Sequence, residues 1–327
     1  MQSPLSIVMY HYVRDLEHSR YPGIKGLPLD LFVEQLDYIQ RHYVVTRPED
    51  VIAAAKSNGE SLPRNAIVLT FDDGYRDHYD NVFPVLFERG LSAMFFPPVK
   101  VVANHQLLDV NKIHFILASV EDPARLLPDL FETLDEHRAQ YGLESNEAYY
   151  QRLGVANRFD PREVIFIKRL LQHELPERPR DAITQHLFEK FVGVAEATLA
   201  QELYVSEEQL KVMIGCGMYV GSHGADHLWL DKVDPEQQAR DVDDSLAFLA
   251  RLGAPVDDWV MSYPYGAYND TLLDILRARK CAMGLTTEVA IADLGTHDPL
   301  LLPRLDTNDL PKSRTAEPNE WFQKVAS

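Results

Sequence analysis

The chain has 327 residues, 46% of them hydrophobic and 25% charged, which is enough apolar material for one large core or two smaller ones. Its formal net charge of -18 repels phosphate backbones and anionic lipid headgroups, so nucleic acid is not an expected partner. The two cysteines, Cys216 and Cys281, stand far apart without a CxxC partner, and a disulfide framework is excluded.

The opening MQSPLSIVMYHYV has no basic leader, and Ser6 interrupts its apolar run, so Ser6–Val13 reads as a strand rather than a signal peptide. No apolar segment is long enough to span a bilayer. These two readings imply no membrane insertion and a cytoplasmic location. A helix follows over Asp30–His42, where Leu31, Leu36 and Ile39 share a face and Asp30 is placed to cap it. Ala66–Phe71 is a second strand, ending abruptly in Asp72-Asp73-Gly74. Asn81–Arg89 is helical and stops at Gly90; Leu91–Phe96 is a third strand, closed by Pro97-Pro98. Strands alternating with helices point to a parallel sheet or barrel.

After Lys100 the pattern changes. Apolar residues at three- and four-residue spacing mark helices over Leu126–His137, Pro161–Leu175, Asp181–Phe191 and Ser206–Ile214, punctuated by Pro176, Pro179 and Gly193. This describes a largely helical insertion at about 104–215, after the third strand, within one barrel domain spanning 1–327. Alternation then resumes: a strand at Met218–Ser222, a helix at Pro235–Leu252 stopped by Gly253, a strand at Trp259–Ser262, a helix at Asp270–Arg279 and a strand at Ala282–Leu285. With Leu300–Pro303 the strands number about seven, fewer than the eight of a regular (β/α) barrel.

Three short motifs each lie just past the C-terminal end of an expected strand, the edge where barrels and open parallel sheets gather their active sites. In Thr70-Phe71-Asp72-Asp73-Gly74, two adjacent carboxylates repel unless a cation or a proton separates them; one can ligate a metal while the other acts as a base, or the pair simply makes a polar turn. In Gly221-Ser222-His223-Gly224-Ala225-Asp226-His227, two histidines four residues apart meet on one face of a helical turn, a common arrangement for a divalent metal. One carboxylate and two imidazoles suit Zn²⁺ with water at the open position. Ser262-Tyr263-Pro264-Tyr265-Gly266 reads either as a structural turn or as a turn whose backbone N–H faces a developing oxyanion.

The order TFDDG, HxxxH, PYG resembles the polysaccharide deacetylases of the NodB-homology type, carbohydrate esterase family four, over residues 1–100 and 216–310. The resemblance implies an α/β fold, a distorted (β/α)7 barrel, and a metal-dependent hydrolase that removes the N-acetyl group from an amino sugar. Taken with the expected cytoplasmic location, the substrate is more naturally a precursor of a cell-surface polysaccharide or O-antigen than a finished wall polymer. By position it makes Asp72 the base, Asp73, His223 and His227 the metal ligands, and Tyr265 the oxyanion-hole residue. Two places depart from the family pattern. Ser262 stands where an arginine often precedes the proline, and the late segment Leu302-Pro303-Arg304-Leu305-Asp306 lacks the histidine that serves as general acid. His11, at the end of the first strand, reads either as the substitute acid, as in family branches with rearranged motifs that this segment resembles, or as a satisfied core or rim histidine. Arg304 and Asp306 take an orienting or substrate-binding role or form a buried ion pair, and Tyr75 and His105 are assigned to substrate contact. The alternatives are a metal hydrolase acting on a non-sugar amide and an impaired homologue that binds metal or sugar. Oligomeric state is left open.

Overall fold

The computed structural model describes residues 4–57, 59–60, 62–156 and 160–326. In chain order its strands are β1 (Pro4–Tyr10), β2 (Val13–Arg14), β3 (Leu27–Pro28), β4 (Val44–Val45), β5 (Ala66–Asp72), β6 (Met94–Phe96), β7 (Tyr219–Val220), β8 (Trp259–Ser262), β9 (Cys281–Leu285), β10 (Ala292–Asp293) and β11 (Leu305–Asp306). Pairing is parallel from β1 to β5, β5 to β6 and β6 to β7. A parallel bridge from Ser222 to Met261 carries the sheet on to β8, which pairs with β9. A second bridge, Leu285 to Leu302, leads to the last stave, and β11 returns to β1. The pairing thus closes on itself as a distorted (β/α)7 barrel, with two seams made of a single bridge each.

Parallel staves with both faces covered need near-continuous apolar sequence, and β5 is buried at every position. Leu5, Ile7, Val68, Met94, Phe96, Tyr219, Val260, Met283, Leu285 and Leu302, at least one from every stave, form one buried cluster. A helix that the strand-and-helix alternation did not announce, Pro48–Lys56, adds Val51, Ile52, Ala54 and Ala55 to it. Outside the ring, Leu230, Val242, Trp259, Met261, Leu272 and Leu276 pack helices Pro235–Leu252 and Asp270–Ala278 against β8.

Several local expectations change. The first strand ends at Tyr10, and Val13–Arg14 pairs separately with Leu27–Pro28. Pro28, not Asp30, is the N-cap of the helix Leu29–His42; Asp30 lies in its first turn, where its charge favours the helix N-terminus. Both cysteines are free thiols.

Contacts divide the chain into two compact units, one of 1–15, 26–106 and 201–327 and one of 16–25 and 107–200. The second is helical. Helices Asp109–Ala118, Leu127–Tyr141, Arg162–Arg169 and Glu177–Leu187 enclose Ile113, Leu130, Leu134, Ile167, Leu170 and Ile183, all fully buried. Its buried Asp160 is paired with Lys25 and Lys168. Helix Glu207–Gly215, opened by a capping box of Ser206 and Gln209, belongs to the barrel unit. Among the described residues no helix is long and apolar enough to cross a membrane.

Candidate active site and metal centre

Strand β5 ends on Asp72. Asp73 follows at φ 72° and Gly74 at φ 67°, both in the left-handed region. A Cβ on Gly74 would stand 2.7 Å from the Pro97 Cβ, so the turn needs glycine for space as well as torsion. Along an extended strand the two carboxylates would face opposite ways; the reversal at Asp73 lets both join one cluster.

Asp73 Oδ1 lies 3.4 Å from Nε2 of His223 and 3.4 Å from Nε2 of His227. Two donors about 2.1 Å from a shared ion at the tetrahedral angle stand about 3.4 Å apart, so the spacing fits a small divalent cation. The surrounding hydrogen bonds leave these atoms available. Tyr75 Oη donates to the other carboxylate oxygen, Asp73 Oδ2, at 2.7 Å. The His223 ring uses Nδ1 to donate to the Ser262 carbonyl at 2.7 Å, which points its Nε2 lone pair at the cluster. All three residues are buried, and together they form a group able to hold a metal ion. Burial raises the Asp73 pKa, but the two imidazoles beside it, His223 and then His227, outweigh it and hold the carboxyl well below its ordinary range.

The two histidines do not share a helical turn. Residues 221–229 form an irregular loop after β7, and the rings converge because His227 takes φ 56°. The loop is pinned from two sides. Asp241, on the buried face of helix Pro235–Leu252, accepts from the N–H groups of Ala225 and Asp226, each at 3.0 Å. The N–H groups of Val99 and Lys100 donate to the carbonyls of Gly224 and Ala225.

Asp72 has other neighbours. Arg304 Nη1 donates to its Oδ1 at 3.1 Å, and Nη2 lies 2.8 Å from Oδ2, out of line for a hydrogen bond but within ion-pair reach. Ser262 Oγ donates to Oδ2 at 3.1 Å. The guanidinium is itself fixed, with Nε on the Thr286 carbonyl at 2.9 Å and Nη1 on Thr70 Oγ1 at 3.3 Å. Burial works against the carboxylate, yet Arg304 and then His223 hold its pKa below the ordinary value. Ser262 therefore contacts both halves of the site, through its hydroxyl to Asp72 and its carbonyl to His223.

His11 follows β1 at the same end of the barrel, within electrostatic reach of both Asp72 and Asp73. Tyr265 sits in the turn Pro264–Gly266 at φ 58°. Its ring meets His227 edge-on at 4.7 Å and stacks on Trp229 at 4.3 Å with 3° between planes. The remaining sequence assignments fall elsewhere. Tyr75 is fully buried and contacts Asp73 rather than open space; Arg304, 1% exposed, contacts Asp72 and so forms a buried ion pair, one of the two roles the sequence offered for it. Asp306 caps the turn Thr307–Asp309 through the Asn308 N–H at 2.8 Å. His105 is exposed just beyond helix Val99–Ala103, at φ 52°. Sequence reading passed over Asp241 and Trp229. For Asp241 the signal was a carboxylate in step with the core positions Gln238, Val242, Ser245 and Leu249; for Trp229 there was none.

Comparison with known proteins follows the same lines. The model of the family described as polysaccharide deacetylase matches residues 59–141 and 182–283, more than half the chain. The polysaccharide deacetylase homologue YxkH of Bacillus subtilis (strain 168) is 32% identical over 95 residues, 29% of this chain; the match spans about a third, 34%, of that relative's length. Among solved structures, the Streptococcus pyogenes deacetylase PplD in complex with acetate superposes with a TM-score of 0.58 at 20% identity, over all of both chains. IcaB from Ammonifex degensii gives 0.55 at 19% identity, over 99% of this chain and 96% of that one. A de-N-acetylase from Aggregatibacter actinomycetemcomitans gives 0.54 at 16%, over 98% and 99%. At these identities the likeness to the solved structures is one of fold.

Proposed function

The chain belongs to the polysaccharide deacetylase family, and from that premise we propose that it is a metal-dependent hydrolase removing the N-acetyl group of an amino sugar. The observation that carries the reading is the pairing of two differently held carboxylates. Asp73 faces two imidazoles at ligand spacing, while Asp72 beside it faces an arginine and a serine. Asp73, His223 and His227 would hold the ion, most simply Zn²⁺. When bound, such an ion polarises an acyl oxygen and lowers the pKa of water.

The chain's own groups supply the rest. Asp72, kept ionised by Arg304, accepts a proton from the attacking water. The Tyr265 N–H donates to the developing oxyanion. His11 delivers a proton to the amine nitrogen as the C–N bond breaks and its electron pair passes to nitrogen, giving acetate and a free amino sugar. The -18 charge weighs against gripping an anionic polymer, and we read the substrate as a precursor of a cell-surface polysaccharide or O-antigen. The helical unit is read as an insertion into a single barrel domain.

The direct test is acetate release from a panel of N-acetylated sugars, with and without chelator. Chelation should abolish release and added Zn²⁺ should restore it. Alanine at Asp73, His223 or His227 should remove most bound metal. Asp72→Asn should keep the metal and lose kcat by about 10²–10⁴. Release that is indifferent to chelation, or an Asp72→Asn enzyme of near-normal turnover, would overturn these assignments.

A further inference from the structure

The turn after Asp73-Gly74 has a second task. Three of its side chains reach the segment His11–Arg14 that follows β1. His78 Nε2–H donates to the His11 carbonyl at 2.9 Å. Asn81 Nδ2 donates to the Val13 carbonyl at 2.8 Å. Asp77 accepts from the Val13 N–H at 3.3 Å and from Arg14 Nε at 2.7 Å. Residues His78–Val82 wind as a single π-helical turn, a distortion that concentrates at functional sites.

His78 is an unusual choice for this place. It is 1% exposed, and its ring meets Phe71, Tyr75 and Phe95 at centroid distances of 5.4, 5.6 and 5.9 Å. Packing alone would be served by phenylalanine, which carries no polar atoms into such surroundings. Burial pushes the imidazole down to about 4, so it is neutral at physiological pH. The neighbouring Tyr12 stacks on Tyr75 at 4.0 Å, and Tyr75 in turn bonds to Asp73. The main chain that carries His11 is thereby tied to the same turn that carries the two carboxylates.

We propose that His78 is a positioning residue for His11, fixing through its hydrogen bond to the His11 carbonyl the direction in which His11 presents its imidazole to the departing amine. This rests on the reading of His11 as the proton donor. A proton donor must sit within hydrogen-bond reach of the leaving nitrogen, so a loosened carbonyl anchor lowers the fraction of encounters in which transfer succeeds.

The test uses metal-loaded wild type, His11→Ala, His78→Phe and the double variant. Each is assayed on an N-acetyl amide and on an acetate ester with an activated phenol, whose departure needs no proton. His78→Phe should lower amide turnover about tenfold or more, the scale of one well-placed hydrogen bond. It should lower ester turnover far less, keep its metal, and add little to the loss already caused by His11→Ala. His78→Gln, whose side-chain amide can donate to the same carbonyl, should recover part of the rate. An amide rate untouched by His11→Ala sinks the reading of His11, and the positioning role with it. Selective loss in His11→Ala but none in His78→Phe sinks the positioning role alone. Additive losses, equal losses on both substrates, or lost metal would show that His78 only supports the fold, and would also overturn the proposal. Should His78→Phe not fold, the half-buried Asn81→Leu, which releases the Val13 carbonyl of the same segment, carries the same comparison with the same outcomes.

Discussion

Replacing Arg304 by methionine keeps most of the side-chain length and removes its charge. Asp72 is 1% exposed, and burial favours its neutral form; Arg304 is the largest influence opposing that burial. An opposite charge at this range is worth about 1–3 pKa units, or about 1.4–4 kcal/mol. Breaking a buried pair by removing one partner costs about 3–5 kcal/mol. The two figures describe one loss seen from two sides and are not to be summed. A carboxyl held below its ordinary 3.8 contributes stability that is complete above that value and is lost as pH falls through the folded value. Wild type should therefore exceed Arg304→Met in stability by about 3–5 kcal/mol near neutral pH, with the gap narrowing in acid. Urea unfolding at a series of pH values measures this directly. In the kinetic assay, with both proteins metal-loaded, the acidic limb of kcat/KM should move up by about 1–3 pH units. The double variant Asp72→Asn with Arg304→Met should regain stability but not activity, because no buried charge is left unpaired. A fixed acidic limb together with a stability loss under about 1 kcal/mol would refute the pairing of Arg304 with Asp72 as the source of the proposed base's ionised state.

Two further outcomes follow from the residues around the proposed metal ligands. Tyr75→Phe removes the hydroxyl that engages Asp73 Oδ2 and should weaken metal affinity about 10–100-fold in a chelator competition, with the fold retained. Asp241 has its carboxyl pushed up to about 6 by burial, so the stability it contributes is complete below its ordinary 3.8 and is lost as pH rises through about 6. The advantage of wild type over Asp241→Asn should therefore shrink between pH 4 and pH 7, by up to about 3 kcal/mol in unfolding free energy; an advantage that grows with pH would contradict it.

The sequence was most legible where periodicity and burial coincide. Helix Pro235–Leu252 and strand β8 appear with the bounds the apolar pattern implies, because each is covered on a full face. The two-residue β7 and the single-bridge seams carry too little pattern to announce themselves, and closure of the ring became visible only in the pairing. In the site, the residues of the metal cluster were readable as types at a spacing, but the backbone that unites them was not. HxxxH suggested a helix because four residues make about one turn, whereas a left-handed His227 brings the rings together on a loop. For Arg304 the sequence offered a buried ion pair among its roles but could not name the partner. Residues 72, 262 and 304 are remote along the chain, and nothing local says that an arginine from the last stave reaches the carboxylate that Ser262 also touches. Tyr75, assigned to substrate contact from the sequence, is fully buried and belongs to the protein interior instead.

The left-handed torsions of Asp73, His227 and Tyr265 (φ 72°, 56° and 58°) bear on how this barrel can be engineered. Each such non-glycine torsion costs on the order of 1 kcal/mol or more, and all three fall on residues of the same rim. Glycine at Asp73 or His227 would relax the backbone and delete a proposed metal ligand; at Tyr265 the relief is set against a lost aromatic stack. A selection for heat tolerance that ignores turnover would therefore drift toward inactive proteins at these positions. Stabilising changes are better sought at the helix ends and loops remote from the rim, where torsional relief and chemistry do not compete.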